Sequence, residues 1–542
     1  MEENKIIDFK KDDKFFFKKG NELIAGGEVN KAIVYIQKAL NLAKDKNLFL
    51  KGSYYLMLAQ AYSLINYIDL SNYYYYCALK SDVFAQLVFR GLGENLINQG
   101  DELTARFYLN ECVNLLETSD VAKSAKARLE MLNKSKKKFR IINGKTDLSI
   151  QKAEELMSQG KFDEVVEILE GDGDFSNEKL RAELSLAYFF LNKTQKGKQL
   201  VEDYGTDCVF DLCNLLLLYY CDEDKQKYEE IKRKVRDRKD LNNEEYFKIG
   251  LTFAQTQEYD LAKLYMQQYL SGSNIEPELK FLYAILLINK KDFGEAKNIL
   301  IDLRSLDPFN NYVFNYYLNI CKTEVLESKL EYIFSIPVGE YLKIQQTIKD
   351  YLVLNKEELL LKFNENIDFF YFISSLPDTA TKSALFQKLS LIEDKNLDEF
   401  FEYVLLSNTT KNSIKNKIML NRLSLDNAST VCVVKDKIFS KITIPNNFAT
   451  KHNNEQLQQG LMLSVKYFIE QGIILNINLK RVVIKLEKIL NQDKNLPEVL
   501  AAIIVWEYTK QRKLLPLNKI CKYFNISQEQ FYDFANKYSI EV

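Results

Sequence analysis

The chain of 542 residues carries 74 basic against 75 acidic side chains, so it has no overall field for gripping nucleic acid or an anionic membrane. With 46% hydrophobic and 27% charged residues it reads as folded rather than disordered, and 7 prolines with 19 glycines leave room for many helices. No apolar run approaches the roughly 18 residues that cross a bilayer, and Met1-Glu2-Glu3-Asn4-Lys5 lacks the form of a signal peptide. Eight cysteines are scattered without a CxxC pair, which fits reduced thiols in a cytoplasmic protein.

From about Asp13 to Glu117 the pattern predicts three helix pairs. Phe16, Lys19, Gly20 and Leu23 share one helix, Gly26-Gly27 make a turn, and Ala32, Ile36 and Ala39 share the next. Small residues recur at fixed offsets. Gly20 precedes Ala32, Gly93 precedes Ala105, Gly250 precedes Ala262 and Ala284 precedes Ala296, twelve residues on each time, while Ala59 to Gly93 and Gly250 to Ala284 are 34 apart. Small side chains let two helices cross closely, and a pair of this length buries its apolar face only by stacking on its neighbours.

These residues resemble the tetratricopeptide repeat family. Tyr55, Leu58, Ala59, Tyr62, Tyr75 and Ala78 carry the likeness in the second unit, and Gly93, Gly100, Ala105 and Leu109 in the third. Late units match through Tyr246, Ile249, Gly250, Phe253, Ala262 and Met266, then Tyr283, Ala284, Leu287, Ala296, Leu300 and Pro308. The likeness covers residues 13 to 320 and implies an all-α solenoid. It also implies a groove lined by the first helix of each pair: Phe17, Asn21 and Ile24; Leu56, Gln60 and Ser63; Arg90, Glu94 and Asn98. Some repeats of this family grip a C-terminal carboxylate with Lys and Asn; Asn21 matches, while Phe17 stands in place of the lysine. The groove that results is mixed apolar and polar, suited to an extended peptide or a helix.

The expected organisation is an N-terminal repeat block over 1–132, a basic linker over 133–147 containing Lys134 to Arg140, and a second repeat block over 148–321. A non-repeat helical region over 322–429 follows, with apolar clusters at Leu359-Leu360-Phe363, Phe369-Phe370-Phe372 and Phe400-Phe401-Val404-Leu405. One β-hairpin is predicted within 430–446, from Thr430 to Val434 and Ile438 to Ile444 around Lys435-Asp436-Lys437. A helical domain over 447–542 closes the chain. Its tail, Leu517 to Phe524 and Gln528 to Lys537 around Asn525-Ile526-Ser527, is similar to a helix-turn-helix or to the end of a cyclin-type bundle. Ser527 is placed to cap the last helix.

Catalytic chemistry has little to work with. His452, the one histidine, sits in a polar stretch that reads as an exposed loop. Cys208, Cys213 and Cys221 lack the spacing and the histidine of a zinc site, and read as core thiols. No phosphate-binding glycine loop occurs, and no catalytic, metal or cofactor residues are assigned. The basic run Lys232 to Lys239 follows Glu229-Glu230 and reads as a solvated helix face. In the tail, Gln528 and Gln530 suit base edges, whereas Glu529 and Asp533 would oppose phosphates. The run Tyr73-Tyr74-Tyr75-Tyr76 covers too many faces to be wholly core, so at least one tyrosine is expected at the surface or against the adjacent repeat. The composition and motifs point to a non-catalytic scaffold or adaptor that binds a protein or peptide. The alternative is a regulator whose tail contacts nucleic acid; an enzyme working with carboxylates alone would need two of them converging in a pocket within 322–427.

Overall fold

The computed structural model describes residues 11–43, 46–81, 84–142, 145–158, 160–204, 208–271, 276–425, 430–443, 455–471, 482, 486, 496–510, 516–538 and 540. Its contacts divide the chain into two units. The first holds residues 1–43, 57–71 and 85–338, and the second holds 44–56, 72–84 and 339–542. The sequence-based blocks therefore do not coincide with the observed division. Residues 44–56 and 72–84, inside the expected first block, group with the C-terminal part of the chain.

Helices come in consecutive pairs: α1 (Asp13–Ala25) with α2 (Val29–Leu42), α3 (Leu48–Leu64) with α4 (Ile68–Leu79), and α5 (Ala85–Asn98) with α6 (Glu102–Leu115). After α7 (Asp120–Ile142) the pairs resume as α8 (Lys145–Ser158) with α9 (Phe162–Asp172) and α10 (Glu178–Phe190) with α11 (Thr194–Tyr204). The last three are α12 (Val209–Cys221) with α13 (Lys225–Arg236), α14 (Asn243–Gln255) with α15 (Tyr259–Leu270), and α16 (Pro277–Asn289) with α17 (Phe293–Leu306). The chain is an all-α solenoid of such pairs, followed by further helices and one small hairpin.

One turn explains why all eight pairs fold alike. After the first helix of each pair a single residue adopts a left-handed backbone: Gly27, Asn66, Gly100, Gly160, Asn192, Glu223, Gln257 and Lys291, with φ between 56° and 78°. Its amide donates to the carbonyl three residues back and the next amide donates five residues back, at 2.8–3.2 Å in every case. These bonds satisfy helix-end carbonyls and reverse the chain in a few residues. Only three of the eight positions hold glycine, and five tolerate a Cβ in a conformation that disfavours it.

The predicted close crossings are real. A Cβ added at Gly20 would stand 2.5 Å from Ile36 Cγ1, at Gly93 2.7 Å from Leu109 Cδ2, and at Gly250 2.6 Å from Met266 Cγ. Each contact joins the two helices of one pair, sixteen residues apart, and the partner alanines Ala32, Ala105 and Ala262 are fully buried beside them. In the sixth pair the corresponding residues are Leu216 and Tyr228, both buried, so a large pair replaces the small one.

The stretch expected to be a linker is helical through Ile142, and helix begins again at Lys145. Helix α7 packs on the third pair, where Leu109, Cys112 and Ala125 form a core with Phe89, Ile97, Val121, Leu129 and Leu132. A separate core runs through pairs four and five from Ile150 to Leu200. Within the first unit the eighth pair meets the first two: the Tyr62 hydroxyl donates to Leu306 O at 2.5 Å, Gln37 Nε2 donates to that hydroxyl at 2.7 Å, and the Tyr67 hydroxyl donates to the buried Asp307 carboxylate.

The second unit is built differently. Helices α19 (Tyr341–Val353), α20 (Lys356–Glu365), α21 (Ile367–Ser375), α22 (Ala380–Ser390), α23 (Lys395–Leu406) and α24 (Asn412–Leu425) bury Leu359, Phe363, Phe370, Phe372, Phe400 and Phe401. Three lysines close helix ends from a distance. Lys382 donates to Ser374 O at 2.9 Å and Leu376 O at 2.6 Å, Lys388 to Leu352 O at 2.7 Å and to Leu354 O, and Lys415 to Ser407 O and to Val434 O at 2.6 Å. Each lysine nitrogen meets the negative end of a helix dipole with its unpaired carbonyls, and Lys415 also reaches a carbonyl of the hairpin, Val434 O. The hairpin pairs β1 (Thr430–Lys435) with β2 (Ile438–Thr443), and Thr430 faces Thr443. Its two-residue turn is Asp436-Lys437, both left-handed at 49° and 62°, which matches the twist of the strands.

The tyrosine run lies inside the fold, so the exposed tyrosine, one of the two expected outcomes, does not occur. Tyr74, Tyr75 and Tyr76 are buried and Tyr73 half-buried, so none is exposed. Within the second unit, the partners of Tyr73 and Tyr76 come from far along the chain: Tyr73 meets the Tyr403 ring edge-on at 5.2 Å, and Tyr76 stacks parallel to Phe439 of β2. Their outer faces are covered by non-repeat structure, which no 34-residue pattern could reveal.

Candidate partner-binding surface

The first helix of each pair places three residues ten, six and three positions before the left-handed turn residue. Phe17, Asn21 and Ile24 occupy this row in the first pair, and all three are half-buried. Asn21 Oδ1 is buried and accepts no hydrogen bond among the described residues. In the third pair the row falls on Arg90, Glu94 and Ile97: Arg90 is exposed, Glu94 is held by Arg128 of α7 at 3.0 Å and Ile97 is half-buried, while the expected Asn98 stands one position past the row and is exposed.

The second pair behaves otherwise. Leu56 is buried and groups with the second unit, whereas Gln60 and Ser63 are half-buried in the first. Ser63 Oγ donates to Asn95 Oδ1 at 2.8 Å, Asn95 Nδ2 donates to Ser71 Oγ at 2.8 Å, and Ser71 Oγ donates to Ala59 O at 2.7 Å. Ser63 is thus committed to a ladder that joins pairs two and three. The nine expected residues are divided between open positions (Arg90, Asn98), partly covered ones (Phe17, Asn21, Ile24, Gln60) and ones engaged in packing or pairing (Leu56, Ser63, Glu94).

A second ladder crosses α10, α12 and α14 and left no sign in the repeat pattern. Arg181 donates through Nε (2.8 Å) and Nη2 (2.6 Å) to Asp211 Oδ2, and both side chains are buried. Asn214 Nδ2 donates to Ala182 O and Ser185 Oγ, each at 2.8 Å, and Lys248 Nζ donates to Asn214 Oδ1 at 3.0 Å. Burial lowers the Lys248 pKa from its ordinary value, and burial with the nearby Glu154 charge raises that of Glu183. Buried polar groups paired in this way fix which helix sits beside which, while Asp211 Oδ1 accepts no hydrogen bond among the described residues.

At the eighth pair the row reads Phe281, Ile285 and Ile288, and all three are fully buried. What covers part of it is the chain itself. After α18 (Asn311–Thr323) Glu324 turns left-handed at φ 56°, and residues 325–337 run without helix. The start of the region expected to be helical from residue 322 is therefore irregular, because Glu324 closes α18 through its amide to Ile320 O and the segment then finds partners on helix surfaces. Asn289 Nδ2 donates to Leu330 O at 3.0 Å, and Leu330 N donates to Asn289 Oδ1 at 2.8 Å. Tyr317 of α18 donates to Ser335 O at 2.8 Å, and the Phe334 ring stands edge-on to Phe281 at 4.9 Å. Leu330 and Ile336 are buried, and burial raises the Tyr332 hydroxyl well above its usual range.

Other candidates fall into ordinary roles. All eight cysteines are free thiols, and among the described residues no group of three or more His, Cys, Asp or Glu could hold a metal. His452 lies outside the described residues, as do the side chains of Lys134 to Arg140. In the second basic run Lys232 pairs with Glu229 and Glu258, and Lys234 with Glu230. Within 322–427 the carboxylate drawn inward is Asp378, which pairs with buried Lys382 at 2.8 Å. No described helix is long and apolar enough to cross a membrane.

The tail packs as its apolar spacing predicts. Ile520 and Phe524 are buried, Phe531 meets Trp506 edge-on at 6.2 Å, and Ser527 with Gln530 forms a reciprocal cap on helix Gln528–Lys537. The exposed start of that helix presents Gln528, Glu529, Gln530 and Asp533 together. Two carboxylates on that face repel a phosphate backbone.

No protein-family model matches the sequence, and no curated protein matches it. Among solved structures, the crystal structure of yeast Tom70 aligns with a TM-score of 0.25 and 13% identity over 92% of this chain and 96% of that one. The structure of Naa15/Naa10 bound to HypK-THB aligns with a TM-score of 0.18 and 11% identity over 97% of this chain and 80% of that one.

Proposed function

We propose that this chain is a non-catalytic scaffold or adaptor that holds a protein or peptide partner along the row on the first helices of its pairs. The observation behind this reading is the row itself: one turn, repeated eight times, sets the same three positions on successive helices. Open or half-open side chains there include Phe17, Arg90, Phe189, Tyr220 and Phe247, a mixture of aromatic anchors and charge. Tyrosine, phenylalanine and arginine give large contact area for little lost freedom, as binding surfaces require. The eight reduced thiols fit a cytoplasmic setting. Affinity capture with the wild type and with an Arg90→Glu, Phe189→Ala, Tyr220→Ala variant tests the reading. The wild type should enrich at least one protein that the variant loses; an identical set from both would remove the row from consideration.

A further inference from the structure

We propose that the surface formed by α16 and α18 is a docking site for a non-helical polypeptide segment, and that residues 330–336 are its resident occupant, displaced when a partner presents the same chemistry. This rests on reading the first-helix row as a polypeptide-binding surface.

The site recognises backbone first. Asn289 offers one donor and one acceptor to the amide and carbonyl of a single residue, Leu330, the two-point pairing that a neighbouring strand would supply. Such pairing holds the backbone of one residue regardless of its side chain. Tyr317 adds a second backbone contact at Ser335 O. Specificity comes from the side chains between and beside these points: Leu330 is buried at one end, Ile336 at the other, and Phe334 lies against Phe281 at 4.9 Å and Phe314 at 6.3 Å. The occupant is therefore a non-helical, bent segment (Ile333 N donates to Glu331 O at 3.0 Å) with an aliphatic residue, an aromatic four residues on, and an aliphatic residue two beyond that. The resident segment has no helical or sheet hydrogen bonds of its own to lose, and Lys329 and Glu331 beside Leu330 are exposed. It is tethered directly to the end of α18, so release would leave the helix pairs intact.

The probe is a synthetic peptide with the sequence of residues 330–338, which contains no lysine or arginine. In fluorescence anisotropy with full-length protein, a Leu330→Ala, Phe334→Ala variant should bind it at least tenfold more tightly than the wild type. Adding Asn289→Ala to that variant should abolish the gain. Equal binding by wild type and variant overturns the proposal. If the variant fails to fold, trypsin acting on the wild type decides: excess peptide should speed cleavage after Lys329, and an unchanged rate overturns the proposal. Should the peptide fail while the row variant still loses a captured partner, the resident-occupant idea falls and the scaffold reading stands.

Discussion

The two units close their helices by opposite means. In the first, each pair ends its leading helix with a turn whose bonds reach back three and five residues, so every pair caps itself. In the second, buried and half-buried lysines reach carbonyls six to 36 residues away, as Lys382 does for Leu376 and Lys388 for Leu352. Self-capped pairs distribute stability along the chain, and damage to one should stay near it. Lysine-capped helices gather stability into a few desolvated charges, each serving more than one element. A single loss there should be felt throughout the unit.

The sharpest break comes at Lys382. Its removal leaves Asp378 buried without its cation and two helix-end carbonyls uncapped, so Lys382→Ala should cost about 3–5 kcal/mol. Trp506, the one tryptophan, lies in the second unit and reports it directly. Urea unfolding followed by its fluorescence should shift to a much lower midpoint. A shift no larger than that from an exposed lysine would show the buried caps to be idle. Next in size is Ala262→Leu, which crowds the crossing beside Gly250 and Met266 and should cost about 1–3 kcal/mol. Hydrogen exchange should quicken over 243–306 while the core of Leu109, Cys112 and Ala125 keeps its protection. Uniform quickening would make the first unit one cooperative body.

Smaller effects test the turn. Gln257→Gly or Lys291→Gly relieves a left-handed residue bearing a Cβ, and each should stabilise by roughly 0.5–1 kcal/mol after the entropy of glycine is counted. Gly160→Ala should destabilise by about 1 kcal/mol in thermal melts. The mildest test is pH. Burial lowers Lys415 from its ordinary value to about 7, so the unfolded chain binds this proton more readily than the folded one between that value and 10.5. Stability gained from this residue is present above the unfolded value and lost as pH falls through about 7. The Trp506 midpoint should therefore rise from pH 7 toward pH 10, and Lys415→Met should flatten that rise.

The repeat signal was legible where two size constraints coincide, at Gly20 with Ala32, Gly93 with Ala105 and Gly250 with Ala262. It faded at the sixth pair, where Leu216 and Tyr228 fill the crossing, and at turns held by Glu223, Gln257 and Lys291, since a left-handed backbone on such residues has no sequence signature. The hairpin and the tail followed from period-two alternation and from Ser527. The surface was legible in part. Row positions could be carried from the family pattern, yet nothing local to Leu56, Ser63 or Glu94 announces partners 32 to 34 residues away or a place in another unit. The Asn289 clamp escaped because its partner, Leu330, is 41 residues on and belongs to no periodic element.

The shortness of the tether after Thr323 has a kinetic and concentration-dependent consequence. A segment anchored next to its own site competes at an effective concentration on the order of millimolar. A free ligand of equal intrinsic affinity would have to approach that concentration to occupy half the sites. A partner present at about micromolar levels must bind some three decades more tightly, or bring a second point of attachment elsewhere on the row. The resident segment thus sets a threshold: weak, passing encounters leave the site closed, and only a ligand that is strong or bivalent opens it.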